Sequence, residues 1–229
     1  MSTFPYCLSF DLTSQEGQCA LLDSQGEEVA IANFKESSAE GLFELLDTLL
    51  RKGNAGVENI AEILLPLGPS RYTQLRTLYA IAKAWASSHP IRVASVHSAF
   101  VHASRHLSQE SQWCTGTLSG CVGVAYAVSP RVLFYEVFER RSGSELTCSQ
   151  VGTVSSMNAL PPTDGWLCDR QEGGAKGPQL QPKLGGIIPL RADALLVARH
   201  KQSVLATRWL KDNQELIALK PRYGGVPLN

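Results

Sequence analysis

Apolar and polar positions alternate in three short runs at the start of the chain: 6–12 (YCLSFDL), 18–23 (QCALLD) and 28–34 (EVAIANF). This period of two predicts three consecutive strands, with Ser24-Gln25-Gly26 as the turn between the second and third. The period then changes. Over 39–51, Leu42, Leu45, Leu46 and Leu49 fall on one face of a helix, and Gly53 ends it. Phe43 and Leu50 widen the stripe beyond what one core contact needs. A strand over 60–66 (IAEILLP), a helix over about 70–87, a strand IRVASV after Pro90 and a short helix from about 97 follow. The order β-β-β-α-β-α-β-α predicts an α/β domain, a mixed sheet with helices packed on it.

A second half begins near residue 105, which sets an N-terminal lobe at 1–105 and a smaller second lobe at 106–229. SGCVGVAYAVSP and RVLFYEVFER, hinged at Ser129-Pro130, predict a hairpin that starts a new sheet. Residues 157–187 are rich in Gly, Pro and polar residues and predict a long loop. A last helix is expected at about 192–200, then an apolar, strand-like tail at 215–219. No repeat of 20–50 residues is visible in the sequence. The order of the first half is similar to the ribonuclease-H-like lobe of actin-like ATPases.

Composition narrows the function classes. The 229 residues are 44% hydrophobic and 18% charged, and 21 basic residues balance 21 acidic ones. Zero net charge argues against a protein whose main affinity comes from a basic nucleic-acid footprint. The six cysteines, Cys7, Cys19, Cys114, Cys121, Cys148 and Cys168, are scattered and show no metal-knot spacing. The N-terminus lacks the basic start and apolar run of a signal peptide, and no segment approaches the roughly 20 apolar residues of a membrane span. A reduced, cytoplasmic protein with no membrane role is expected.

Candidate chemistry is sparse. Gly68-Pro69-Ser70 sits between a strand and a helix, where backbone N–H groups, Thr73 and Arg76 could meet a phosphate. One glycine is not a phosphate cradle, however, and a capped helix with nothing bound explains Ser70 equally well. Asp11 ends the first strand, where a carboxylate can hold a metal. With no second acid at a comparable strand tip, Asp11-Leu12-Thr13-Ser14 reads as a turn bonding its own backbone. His102 and His106 stand at i and i+4, a metal-ligand spacing, with His97 about a turn earlier. No glutamate lies between them and Arg105 adjoins them. The Gly173-Gly174 and Gly185-Gly186 pairs follow no strand and read as turns.

The unusual feature is an apolar excess on two helices. On the 70–87 helix, Leu75, Leu78, Tyr79, Ala82, Trp85 and Ala86 make one stripe, and Thr77, Ala80, Ile81 and Ala84 make a second, small-residue face. Small side chains admit a second helix at close range. Either the protein's own lobes cover both faces, or a partner covers one.

Residues 68–76 (GPSRYTQLR) resemble the GPGS-(F/Y)-TGLR motif of the TsaB (YeaZ) family. FDLTSQEGQCALLD is similar to that family's first hairpin, and Lys220-Pro221-Arg222-Tyr223 to part of its ending. The resemblance implies a two-lobed actin-like ATPase fold without a working catalytic site, cofactor or metal. It implies a scaffold subunit that supports a TsaD-type partner in threonylcarbamoylation of the tRNA adenosine next to the anticodon. A TsaE-type ATPase would join the assembly, tRNA would be met only through the complex, and the chain alone would form a homodimer. The partner-binding positions it implies lie on the two helices: Leu42, Phe43, Leu46 and Leu50 on the first, Tyr72, Thr73, Arg76, Thr77, Ala80, Ile81 and Ala84 on the second. The alternative is a relict nucleotide phosphohydrolase or a metal-dependent peptidase using His102 and His106.

Overall fold

The computed structural model describes residues 5–13, 16–34, 39–68, 72–109, 120–129, 132–140, 146–168, 186–189, 193–199, 201–202 and 207–218. Strands β1 (Tyr6–Asp11), β2 (Gly17–Leu22) and β3 (Glu28–Phe34) form the antiparallel meander that the alternation predicts. Asp23 Oδ1 accepts the N–H groups of Gln25 and Glu27 at 2.8 and 3.0 Å, and Gly26 at φ +83° supplies the left-handed residue of that turn. Helix α1 (Ala39–Lys52), strand β4 (Ile60–Pro66), helix α2 (Tyr72–Ser88), strand β5 (Arg92–Val96) and helix α3 (Ser98–Gln109) follow in the expected order. Strand β1 runs parallel to β4, and β4 parallel to β5. With strand β11 (Thr207–Trp209) antiparallel on β5, the sheet has the order β11-β5-β4-β1-β2-β3.

The second sheet repeats this plan, although the sequence shows no repeat. Strands β6 (Cys121–Ser129), β7 (Val132–Arg140) and β8 (Leu146–Val154) form an antiparallel meander. Strand β9 (Gly165–Cys168) runs parallel to β6, and β10 (Gly186–Pro189) parallel to β9, giving the order β10-β9-β6-β7-β8. A meander whose first strand continues into two parallel neighbours is the ribonuclease-H-like order. Its occurrence twice is the plan of the actin-like ATPase fold.

The chain divides into two compact units: Met1–Ser98 with Ala192–Tyr223, and Ala99–Arg191 with Gly224–Asn229. The segment Ala192–Tyr223, which the sequence reading puts in the second lobe, belongs to the first compact unit. Helix α4 (Ala194–Arg199) lies on β1 and β2, and helix α5 (Asn213–Ala218) lies against α2. In the second unit, Ala99, Ala103 and Leu107 of α3 pack into a core with Val122, Val124, Phe134 and Phe138.

Three sequence expectations are corrected. The stretch 157–187 contains β9, the first residues of β10 and a 3-10 turn at Met157–Ala159 in addition to its irregular parts. The tail at 215–219 is helical over Asn213–Ala218, not a strand: Asp212 Oδ1 caps the N–H of Glu215 at 2.8 Å, and Glu215 Oε2 accepts the N–H of Lys211 at 3.0 Å. Strands β8 and β11 were not expected at all.

Trp166 is fully buried against Gly123, where an added β-carbon would come within 2.3 Å of the indole ring. Gly123→Ala is therefore expected to destabilise the second unit by about 1–3 kcal/mol, the usual cost of overpacking. Urea denaturation followed by tryptophan fluorescence measures it; an unchanged midpoint would refute this packing.

Candidate functional site

Helices α1 and α2 lie on the same face of the first sheet. Leu42, Leu46, Leu49 and Leu50 of α1, with Leu75, Leu78, Tyr79 and Ala82 of α2, enter one core with Leu8, Phe10 and Ile63. The Tyr79 hydroxyl donates to the carbonyl of Pro66 at 3.2 Å, which ties α2 to the end of β4. Leu42, Leu46 and Leu50 are at most 9% exposed. These three side chains belong to the core, because the inner stripe of α1 is covered by its own sheet. Phe43 is rotated away from that stripe and is 54% exposed.

Phe43 and the outer face of α2 line an open groove of about 600 Å³, bounded by Phe43, Arg76, Thr77, Ala80, Ile81, Ala84 and Trp85. Arg76, Ala80 and Ala84 are exposed, Thr77 and Trp85 are half-buried, and Ile81 forms the floor. Trp85 was missed as a lining residue. Its spacing of four from Ile81 and eight from Thr77 carries the signal, since these positions share a helix face. The side chains of Tyr72 and Thr73 lie outside the described residues, as do Pro69, Ser70 and Arg71 of the candidate phosphate turn. Gly68 is at φ +96°, a conformation that favours glycine.

The other candidates are drawn into the fold. Asp11 is fully buried, and its Oδ1 accepts the N–H of Thr13 at 2.9 Å, the local turn the sequence suggests. Its Oδ2 accepts the N–H of Asp193 at 2.9 Å. His102 is buried on α3, while His97 and His106 are half-buried, and all three are engaged by other groups of the protein. Among the described residues no three His, Cys, Asp or Glu side chains gather as a metal site would need.

Glu62 is the charged hub of the opposite sheet face. It accepts from Lys201 Nζ at 2.9 Å and Arg92 Nη1 at 3.2 Å, and Arg92 lies over the Trp209 ring at 4.3 Å. Burial disfavours the Lys201 ammonium, but its hydrogen bond to Glu62 and the Glu62 charge outweigh that and raise its pKa. A raised lysine pKa contributes stability that is complete at neutral pH and is lost as pH climbs through the folded value. Burial pushes the thiols of Cys7 and Cys19 up to about 12, so both stay protonated and unreactive near neutrality.

The fold is that of YeaZ. YeaZ from Pseudomonas aeruginosa superposes with a TM-score of 0.58 over 87% of this chain and 92% of its own, at 13% identity. An uncharacterized protein with similarity to peptidase YeaZ from the same organism gives the same TM-score and coverage at 14% identity. No protein-family model and no curated protein matches the sequence. Among the described residues no helix is long and apolar enough to cross a membrane.

Thiol labelling of the native chain tests the burial pattern. Among the described cysteines, exposed Cys148 is expected to react with a disulfide reagent at pH 8 at least ~10-fold faster than Cys7, Cys19 or Cys168. Mass-spectrometric localisation reads this out; equal labelling of Cys7 and Cys148 in the folded chain would contradict it.

Proposed function

We propose that this chain is a TsaB-type scaffold subunit. It is a non-catalytic partner that holds a TsaD-type enzyme during threonylcarbamoylation of tRNA adenosine next to the anticodon. The observation that carries the reading is the groove on α1 and α2. Alanines stand where a solvent-facing helix would carry Glu, Lys or Gln, and an exposed phenylalanine stands at the rim. Residues this small allow a partner helix to approach within the 8–10 Å of packed helices. Apolar walls then bury area without leaving polar groups unpaired. The likeness in fold to YeaZ and the GPSRYTQLR motif that opens α2 add to this reading. A non-catalytic role fits the state of Asp11, both of whose carboxylate oxygens accept backbone N–H groups. In the absence of the partner the same groove is free to pair two copies of the chain. A TsaE-type ATPase and tRNA would then meet this subunit through the complex.

Co-expression with a TsaD-type protein followed by size-exclusion chromatography tests the proposal. The wild-type chain is expected to co-elute. Ala80→Arg and Ala84→Arg each place a long charged side chain in the groove and are expected to weaken association at least ~10-fold, about 1.4 kcal/mol. Both positions are exposed, so stability should change by no more than about 0.5 kcal/mol. A chain that stays monomeric and never co-elutes would refute the reading, as would arginine variants that bind undiminished. Metal-dependent peptidase activity lost in His102→Ala/His106→Ala would favour the hydrolase instead.

A further inference from the structure

The N-terminal end of α4 is capped from the far end of the chain. Asp193 caps its own helix, its Oδ1 accepting the N–H of Leu196 at 2.8 Å. The preceding N–H groups are taken by strand residues: that of Asp193 by Asp11 Oδ2 at 2.9 Å, and that of Ala194 by Gln18 Oε1 at 2.8 Å. Asp11 and Gln18 face each other across the β1–β2 ladder. Gln18 Nε2 donates to Asn33 Oδ1 at 2.9 Å, which sets the amide with its oxygen toward α4. Two neighbouring acceptors, one of them a fully buried carboxylate, thus meet the positive end of a helix.

Beyond α4 the described residues, up to Ala218, stay on the first unit. Lys201 reaches Glu62, β11 pairs with β5, the N–H of Leu210 donates to the Val93 carbonyl at 2.9 Å, and α5 packs on α2. One end of this strap is therefore held at Asp11 and Gln18, and the other lies on the helix that carries the groove.

We infer that Asp11 and Gln18 form a latch that docks the C-terminal strap, and that the docked strap braces α2. The carboxylate at the strand tip is then a positioning residue whose ligand is the protein's own helix. The consequence for partner affinity rests on the groove reading above; the docking itself does not.

Hydrogen exchange on the full chain, read by mass spectrometry, decides it. Asp11→Ala, Gln18→Ala and Ala194→Pro each remove part of the latch. The last deletes the N–H accepted by Gln18 at a first helical position but adds ring carbons at a fully buried site, so Gln18→Ala, which removes the same bond without adding atoms, is read beside it. Each is expected to raise exchange over 194–199 at least ~10-fold, with a smaller rise over 213–218 and the outer turns of α2, while β6–β9 stay unchanged. Gln18→Glu keeps an acceptor but loses the donor to Asn33 and faces the Asp11 carboxylate, so its exchange over 194–199 should lie between wild type and Gln18→Ala. A rise confined to residues next to the substitution would overturn the bracing, and unchanged exchange over 194–199 would overturn the latch. Should Asp11→Ala fail to fold, Ala194→Pro and Gln18→Ala carry the decision. Because exchange is read on the chain alone, its outcome is independent of whether a TsaD-type partner binds.

Discussion

Strand β1 must bury both of its faces, and the first unit is arranged around that requirement. Leu8 and Phe10, with Leu12 just beyond the strand, enter the core beneath α1 and α2, while Cys7, Ser9 and Asp11 point to the other side, and all six are at most 4% exposed. The apolar face needs only bulk against it, which two helices with leucine stripes supply. The polar face needs hydrogen-bond partners, because an unpaired buried polar group costs about 1–3 kcal/mol. Asp11 finds them in the backbone of Thr13 and Asp193. The Ser9 hydroxyl has no hydrogen-bond partner among the described residues, which is a cost this face bears. The return of the C-terminal segment to the N-terminal sheet is the physical answer to a carboxylate that cannot be left dry and alone.

The same layering explains the groove. Once the inner stripes of α1 and α2 are committed to the sheet, whatever their outer faces carry is left to solvent or to another molecule. On α1 that face is mostly charged: Glu44, Asp47 and Arg51 are exposed, and Asp47 pairs with Arg51. On α2 it is Thr77, Ala80 and Ala84. A helix facing water permanently gains solubility from charged residues at such positions, whereas a helix that meets another helix gains from small ones. Phe43 is the exception on α1, and it borders the α2 side.

The first unit was legible because its strands and helices have different periods, and each switch falls at a turn or glycine signal. The second unit was less so, and so was the C-terminal segment that returns to the first. Strand β8, LTCSQVGTV, lies at a sheet edge with most of its residues exposed, so no apolar alternation marks it. The run at 215–219 is apolar and short, a length at which period cannot separate strand from helix. Asp212 and Glu215, three apart, were the deciding cap signal. The candidate site divides in the same way. Period grouped Thr77, Ala80, Ile81 and Ala84 on one face of α2, of which Ala80 and Ala84 are exposed and Ile81 is buried, but it could not tell that Leu42, Leu46 and Leu50 are covered by their own sheet. Asp11 reads locally as a turn residue, and half of that is right. Its second partner stands 182 residues away, beyond the reach of any local pattern.

The central claim is that the α1–α2 groove receives a helix of a TsaD-type partner. A photo-crosslinking amino acid placed at Ala84, and as a control at Val151 on the exposed face of β8, tests this directly. The account predicts that position 84 cross-links to a helix of the co-expressed partner, or to a second copy of the chain when the partner is withheld, and that position 151 does not. Cross-links from position 151 with none from position 84 would contradict it.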